Sequence, residues 1–149
     1  MSTVRVMTPK ELATRWFTEI WNGRNPGVIH ELMHPECLGH TEAGTLVGPD
    51  AFVTHMYEAF TAAFPDIQLE LHQVVAEGED TVGRWTVRGT HTGELGGMPP
   101  TGRKIQFSGM TWLKFRDGKL IEGADSWNAN ALACLLANGT ESASVKSCG

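Results

Sequence analysis

The sequence predicts an α+β fold in which three N-terminal helices pack against one curved antiparallel or mixed sheet and enclose an apolar pocket. Apolar residues recur every three to four positions through the first 65 residues and at every second position from residue 67 onward. This change of period is expected where helices give way to strands. A long, strongly twisted sheet curls, and helices laid against its concave side leave a pocket between the two layers.

Length and composition indicate one globular domain. The chain has 149 residues, of which 41% are hydrophobic, and this is enough for a single core. No internal repeat or linker divides it, so we expect one domain over residues 1–139 and a disordered tail over residues 140–149.

Charge and motifs exclude several classes of protein. The net charge is −5, and acidic and basic residues are interspersed without a basic run, so we expect no nucleic-acid partner. No apolar run approaches the roughly 20 residues of a membrane helix, and the first residues lack a signal-peptide core. We therefore expect a cytoplasmic protein that does not bind membranes. The sequence contains no phosphate loop, dinucleotide fingerprint or H-E-x-x-H motif, so neither a cofactor nor a metal is indicated.

The first helix has a clear start in "TPKELATRWFTEIWN". Thr8 and Glu11 form a predicted capping box, and Pro9 occupies the first helical position. Asn22-Gly23 stops the helix. Its apolar positions recur every four residues at Leu12, Trp16 and Ile20.

Two further helices follow. "NPGVIHELMHP" predicts a short helix that ends at Pro35. "GPDAFVTHMYEAFTAAFPDI" predicts a longer helix closed by Pro65. Its apolar stripe consists of Phe52, Met56, Phe60 and Phe64.

Alternating residues then predict a meander of strands. The turns "EGED" and "RDGK" separate neighbouring strands, and the loop "TGELGGMPPTG" separates the middle two. A last apolar helix, "NALACLLANG", ends at Gly139. The predicted strands cover residues 67–76, 81–91, 104–115 and 120–128.

The register of the last hairpin decides which way Asp125 points. A two-residue turn at Asp117-Gly118 pairs Phe115 with Leu120 and puts Asp125 on the face of Lys114. A three-residue loop with a bulge instead pairs Leu113 with Ile121 and Thr111 with Gly123. Directly opposed residues share a face, and this second register groups the apolar residues together. It is therefore favoured, and Asp125 is predicted to point inward.

An inward carboxylate suggests acid/base chemistry. Burial against an apolar wall disfavours its ionised form, which raises the pKa toward the range useful to a general acid or base. His91, on the inward side of its own strand, is a candidate proton partner, and Asn128 a candidate orienting group or enolate donor. Small residues at Gly109 and Gly123 are expected to leave room for a ligand. The predicted substrate-binding residues are His40, Met56, Phe60, Trp85, Thr111 and Trp127.

Structural interpretations of the same residues stay open. Asp125 or Asn128 could serve only to cap the following helix. His91 lies in "GTHTGE", where a histidine commonly bonds the backbone near a turn. His40 could lie in the cavity wall or at an exposed strand end, and tryptophans such as Trp85 and Trp127 are often plain core residues.

Several motifs together resemble the SnoaL-like polyketide cyclase (ester cyclase) family of the nuclear-transport-factor-two-like superfamily. They are "FPDI", "AEG-D-V--RW", "GTHTGE", "G-PPTGR" and "RDGK-IE", and the likeness covers residues 10–138. The resemblance implies a cone-shaped α+β barrel with a deep apolar pocket, assembled as a homodimer or homotetramer through the sheet. It also implies an intramolecular aldol reaction without metal or cofactor, in which one aspartate on the last strand exchanges protons.

That aspartate matches Asp125. Members of the family tend to carry a histidine on the preceding strand, where this chain has Thr111. Many relatives read "E-H-W-D-x-x-D", whereas this chain has Gly123, Ala124 and Asn128 at the His, Trp and final Asp positions. These departures suggest a pocket of different shape.

The sequence therefore predicts a cofactor-independent cyclase, isomerase or dehydratase for a small apolar carbonyl or polyketide-type substrate. One alternative is a binding protein that keeps the pocket without the chemistry. Another is an epoxide hydrolase-like enzyme, which requires an inward arginine beside an aspartate. The outward parity of Arg84 and Arg88 counts against this second alternative.

Overall fold

A computed structural model describes residues 6–138 of the chain. The tail predicted at 140–149 and the predicted helix end at Gly139 lie outside the described residues. No helix within the described part combines the length and hydropathy needed to cross a membrane. The helices are α1 (Pro9–Phe17, continued by a π-helical turn, Thr18–Asn22), α2 (Gly27–Leu32), α3 (Gly48–Phe52), a π-helical segment (Val53–Glu58) leading into α4 (Ala59–Ala63), and α5 (Ala129–Asn138). The strands are β1 (Met33–Thr41), β2 (Gly44–Val47), β3 (Gln68–Glu77), β4 (Asp80–Thr90), β5 (Lys104–Arg116) and β6 (Lys119–Trp127).

The predicted start of α1 is confirmed. Thr8 Oγ1 accepts the backbone N–H of Glu11 at 3.2 Å, and the Glu11 carboxylate accepts the backbone N–H of Thr8 at 3.0 Å. Both hydrogen bonds satisfy donors that the first helical turn leaves without partners. The apolar stripe Leu12, Trp16 and Ile20 is buried in the core.

Strands β1 and β2 were not predicted. The second helix ends at Leu32, and Pro35, which was expected to close it, lies inside β1. Strand β1 pairs antiparallel with β2 and parallel with β6, and its register with β6 shifts between Met33 and Leu38. The sequence hides this strand because its apolar residues do not alternate, and because an irregular edge region tolerates proline.

The described strands form one six-stranded mixed sheet in the order β2-β1-β6-β5-β4-β3. The first helices pack against one face of this sheet, and aliphatic and aromatic residues from both layers form a continuous core. The predicted α+β class is confirmed. The sheet positions the site through its central strands β4, β5 and β6.

The β5–β6 hairpin corrects the predicted register. Asp117 and Gly118 have φ values of +52° and +78° and form a two-residue turn that pairs Phe115 with Leu120. The favoured three-residue loop is therefore wrong. A bulge at Ile121 then inserts one extra residue, so that Leu113 pairs with Gly123 and Thr111 with Asp125.

The bulge also explains why Asp125 points inward. A two-residue turn followed by a regular ladder would place Asp125 on the outer face, because side chains alternate between faces. One extra residue reverses this parity and brings Asp125 opposite the buried Thr111. The predicted direction of Asp125 is correct, but its cause is the bulge within β6 rather than the length of the turn.

Candidate active site

A cavity lies between the helices and the inner face of the sheet. Its volume is about 800 Å³ when the solvent at its mouth is included. The smaller volume within which the centre of a water molecule can move is about 90 Å³. One water needs only roughly 10–15 Å³ by the second measure, so the cavity has room for several waters or for an organic ligand. The lining comprises Trp16, Phe17, Trp21, Met33, Cys37, Gly39, His40, Thr41, Phe52, Met56, Phe60, Ile67, Leu69, Trp85, Val87, Phe107, Thr111, Leu113, Leu120, Gly123, Ala124, Asp125 and Trp127.

Aromatic rings form much of the wall. The rings of Phe107 and Trp127 stack with centroids 4.8 Å apart, and Phe60 meets Trp127 edge-on at 6.1 Å. Trp85 meets Phe107 edge-on at 5.9 Å. A wall of this kind provides flat apolar surfaces for an unsaturated ligand.

Asp125 is the carboxylate of this wall. It is half-buried on the inner face, and the hydroxyl of Thr111 donates a 2.7 Å hydrogen bond to its Oδ1. Within residues 6–138, no group donates a hydrogen bond to its Oδ2. This oxygen is therefore available to a ligand in the cavity.

Burial raises the pKa of Asp125 above the ordinary aspartate value, because an apolar environment penalises the charged form. The hydrogen bond from Thr111 opposes this effect, since it stabilises the carboxylate. The negative charge of Glu42, in the turn between β1 and β2, raises the pKa further. Asp125 is thus arranged to hold a proton at a higher pH than a surface aspartate does.

Thr111 is itself held by Trp85. The indole N–H of Trp85 donates a 2.9 Å hydrogen bond to Thr111 Oγ1. Trp85 is only 6% exposed and Thr111 only 5%, so solvent does not compete for these groups. Trp85, Thr111 and Asp125 therefore form a chain of hydrogen bonds across three adjacent strands.

The six predicted substrate-binding residues all line the cavity. His40 was predicted to lie either in the cavity wall or at an exposed strand end, and both descriptions hold. It lines the cavity, and its side chain is 42% exposed near the end of β1. Its Nε2 lies 2.8 Å from Glu122 Oε2, and its Nδ1 lies 3.1 Å from Thr45 Oγ1. Both ring nitrogens of His40 are engaged by neighbours on β2 and β6.

His91 is not brought to Asp125. It is fully buried outside the cavity lining, and its ring packs against Phe64 at 5.5 Å. The backbone N–H of Thr101 donates to its Nδ1 at 3.2 Å, which ties together the two ends of the loop between β4 and β5. This geometry corresponds to the alternative in which the histidine bonds the backbone, and the predicted proton exchange with Asp125 has no contact to support it.

Asn128 holds the start of α5. Its Oδ1 accepts the backbone N–H of Ala131 at 2.9 Å, and it is not among the cavity-lining residues. The capping alternative therefore describes Asn128, whereas the Asp125 side chain points to Thr111. A catalytic role for His91 or Asn128 stays a prediction without a supporting contact.

The two glycines near Asp125 differ from expectation. A Cβ atom on Gly109 would lie 2.7 Å from the Cβ of Trp127 and 2.9 Å from the Trp85 ring, so these indoles fill the space expected for a ligand. Gly123 does line the cavity, and a Cβ there would lie 3.1 Å from Leu113. Leu113 therefore occupies most of the space that a side chain at Gly123 would need.

Other charged groups lie elsewhere. Arg84 is exposed, and Arg88 bonds Glu70 and Gln106 on the outer face, as their strand parity predicted. The cavity-lining residues that the structure describes include no lysine or arginine. In the same part of the chain, no three His, Cys, Asp or Glu side chains converge as metal ligands.

Sequence reasoning missed several members of the site. Phe52 belongs to the same helical stripe as Met56 and Phe60, so the four-residue spacing could have identified it. Glu42 gave no signal, because the strands that carry its turn were not predicted. The hydrogen bond from Trp85 to Thr111 joins residues that are diagonal neighbours on adjacent strands, and no sequence spacing reveals it.

Comparison with known proteins identifies the family. The profile of the SnoaL-like polyketide cyclase family matches residues 11–134. The chain therefore belongs to the SnoaL-like polyketide cyclase family, as its motifs predicted.

Two relatives carry the same name. Aklanonic acid methyl ester cyclase AcmA from Streptomyces galilaeus is 28% identical over 121 residues, which span 80% of this chain and 84% of AcmA. Aklanonic acid methyl ester cyclase DauD from Streptomyces sp. strain C5 is 30% identical over 127 residues, which span 80% of this chain and 76% of DauD. Both alignments extend over most of the fold described above.

A solved structure shares the same architecture. AclR from Streptomyces galilaeus, a proposed hydroxylase, superposes with a TM-score of 0.76 at 29% identity, covering 87% of this chain and 95% of AclR. Because one fold serves relatives with different assigned chemistry, the site must decide the function of this chain.

Proposed function

We propose that the protein closes a ring in a neutral polyketide-type ester by an intramolecular aldol reaction, with Asp125 as general acid/base. The observation that carries this proposal is the placement of Asp125 in an apolar cavity, with Oδ1 held by Thr111 and Oδ2 facing no donor of the described chain. The family membership and the cyclase relatives support the same reaction class.

The reaction needs only one group that exchanges a proton. The Asp125 carboxylate removes a proton from the carbon next to a carbonyl, which leaves an enolate. The enolate carbon attacks a second carbonyl of the same molecule, a carbon–carbon bond forms, and that carbonyl oxygen becomes an alkoxide. The alkoxide takes the proton back from Asp125, so the enzyme returns to its starting state without an oxidant or reductant.

The elevated pKa of Asp125 suits both halves of this cycle. A carboxylate with a raised pKa is a stronger base than an ordinary aspartate, and it still releases its proton to an alkoxide. A substrate that fills the apolar cavity would displace water from it, which limits competing protonation of the enolate. The stacked Phe107 and Trp127 provide a flat surface on which a conjugated substrate can lie.

The charge of the cavity favours an ester over a free acid. A substrate carboxylate would meet the Asp125 carboxylate and nearby Glu42, and none of the described lining residues is a lysine or arginine that could compensate. We therefore expect the methyl ester to bind and the free acid to be rejected.

The proposal is tested with aklanonic acid methyl ester, the compound named for AcmA and DauD. The expected result is conversion to a cyclised product of unchanged mass, with no conversion of the free acid. Tight binding without turnover would instead identify a binding protein. Incorporation of solvent oxygen into the product would identify a hydrolase.

Asp125→Asn is the key variant for the same assay, since it preserves shape and removes the proton-exchanging group. Ser126→Ala, which changes an exposed neighbour on β6, serves as the matched control. Cyclisation should be lost in the first variant and kept in the second.

The family resemblance further suggests a homodimer or homotetramer assembled through the sheet. Light scattering coupled to size-exclusion chromatography tests this assembly. Elution as a monomer at micromolar concentration would contradict it.

A further inference from the structure

The geometry points to Trp85 as a positioning residue: its indole N–H fixes the Thr111 hydroxyl so that Asp125 Oδ1 only accepts and Oδ2 carries the proton. Trp85 was predicted as part of the apolar wall, and the wall role accounts for its ring but not for its N–H. This inference rests on the proposed function, because it concerns the same carboxylate.

The direction of the hydrogen bonds follows from the available hydrogens. An indole N–H is a donor only, so Thr111 Oγ1 must accept at the 2.9 Å contact with Trp85. A hydroxyl has one hydrogen, and Thr111 donates it to Asp125 Oδ1 at 2.7 Å. Donation by Trp85 also polarises the hydroxyl and strengthens the second bond.

The strands hold this arrangement in place. Trp85 pairs with Gly109, and Thr111 pairs with Gly83 on one side and Asp125 on the other. Because Gly109 has no side chain, the Trp85 ring lies across it and reaches the next inward residue along β5, which is Thr111. Phe107 supports the ring edge-on at 5.9 Å.

The indole N–H uses one of the two lone pairs of Thr111 Oγ1 and orients the hydroxyl so that its hydrogen points at Asp125 Oδ1. Without the indole N–H, the hydroxyl could rotate and accept a hydrogen bond from a protonated Asp125. The proton could then reside on Oδ1, turned toward Thr111 and away from the cavity. The Trp85 indole N–H thus gives the two carboxylate oxygens of Asp125 different roles. Oδ1 accepts the hydrogen bond from Thr111, and Oδ2 exchanges protons with a ligand. This is preorganisation of a base by a neighbour that never touches the substrate.

The experiment uses NMR on the full chain and needs no substrate. The ¹³C signal of the Asp125 carboxyl reports its titration, and the ¹⁵N–¹H signal of the Trp85 indole reports the hydrogen bond to Thr111. In the wild-type protein, the indole signal should shift with the same midpoint as the Asp125 carboxyl. Trp85→Phe and Thr111→Val should each raise the pKa of Asp125, because each weakens the hydrogen bonding that stabilises the carboxylate.

Trp112→Phe is the matched control. The Trp112 indole donates to Asp80 at 3.0 Å at another point of the sheet, so this variant removes a tryptophan N–H without touching the site. Its Asp125 titration should equal that of the wild type. Should Trp85→Phe fail to fold, the wild-type indole titration alone still decides the question.

The outcomes separate this inference from the proposed function. An Asp125 pKa that is unchanged in Trp85→Phe, or a Trp85 indole signal that ignores the Asp125 titration, would overturn the positioning role. Coupled titration in a protein without turnover would refute the proposed cyclase and leave the positioning role intact. With a turned-over substrate, Trp85→Phe should lower kcat about fivefold to tenfold, the rate equivalent of one hydrogen bond. Its pH profile should move upward together with the Asp125 titration.

Discussion

Thr111 and Asp125 face each other on adjacent strands, and the Thr111 hydroxyl donates a 2.7 Å hydrogen bond to the Asp125 carboxylate. The family resemblance implied a histidine at the position of Thr111. A threonine cannot exchange protons at neutral pH, so under the proposed function the carboxylate carries the proton alone, while its neighbour only orients it. The electrostatic surroundings of Asp125 therefore become the main determinant of its chemistry.

Glu42 offers a way to shift the pH dependence without altering the cavity. Its negative charge raises the pKa of Asp125, so Glu42→Gln should lower that pKa and move the acidic limb of kcat/KM to lower pH. The measurement is the pH–rate profile at low ionic strength, because salt screens an exposed charge. Glu77→Gln, on an exposed residue at the β3–β4 turn, is the control and should leave the limb in place. An unmoved limb in Glu42→Gln would show that this charge does not act on the active base.

The raised pKa of Asp125 also affects stability. A group that is harder to ionise in the folded state destabilises the fold as the pH rises from its ordinary pKa through its folded pKa. Asp125→Asn should therefore raise the melting temperature at neutral pH, and the gain should vanish below about pH 4, near the ordinary pKa of aspartate. Thermal unfolding across pH checks this. A variant that is less stable than the wild type at neutral pH would indicate that the carboxylate is well solvated or paired.

Asn128 separates a structural role from a catalytic one. Asn128→Ala removes the hydrogen bond to the Ala131 backbone at the start of α5, and the expected cost is about 1 kcal/mol of unfolding free energy. Because Asn128 does not line the cavity, the kcat of the variant should stay within about twofold of the wild-type value. The loss of one net hydrogen bond to the substrate would lower kcat by a larger factor. Chemical denaturation and steady-state kinetics provide the two numbers. A large fall in kcat with unchanged stability would restore Asn128 as a catalytic residue.

Gly109 is needed for the packing that brings Trp85 to Thr111. A methyl group there would lie 2.7 Å from both the Ser126 carbonyl oxygen and the Trp127 Cβ, neither of which is a flexible side-chain end. Gly109→Ala should cost about 1–3 kcal/mol of unfolding free energy by overpacking. Gly39→Ala is the control, because its nearest neighbour would be the Leu46 carbonyl oxygen at 3.9 Å, and it should be nearly neutral. Equal stability of the two variants would contradict the close packing at Gly109.

The sequence was informative where a pattern is local. The capping box at Thr8, the helical stripe through Phe60 and the alternation in β4 and β5 all depend on neighbours along the chain, and each predicted its element or face correctly. Strand β1 was missed because its parallel pairing with β6 joins residues more than 80 positions apart. For the same reason His91 was assigned to Asp125: inward parity placed both on one side of the sheet, but parity does not specify the distance along it.

The bulge at Ile121 shows how a correct conclusion arose from a wrong register. Apolar alternation correctly required Asp125 to share a face with Leu113, but the three-residue loop that was favoured as the cause is wrong. A bulge within a strand carries no reliable residue signature, whereas the burial pattern that it serves is visible in the sequence. The alternation of apolar residues therefore predicted the direction of Asp125 correctly, whereas the predicted length of the hairpin loop was wrong.

Exchange of the substrate α-hydrogen with deuterated solvent tests the central role of Asp125 most directly, because it follows proton abstraction without requiring ring closure. The wild-type protein should catalyse exchange into a β-keto methyl ester, with activity rising through a pKa above the ordinary aspartate range. Asp125→Asn should bind the ester with unchanged affinity and lower the exchange rate by about 10²–10⁴, the usual contribution of a general base. Exchange at the wild-type rate in Asp125→Asn would contradict the account.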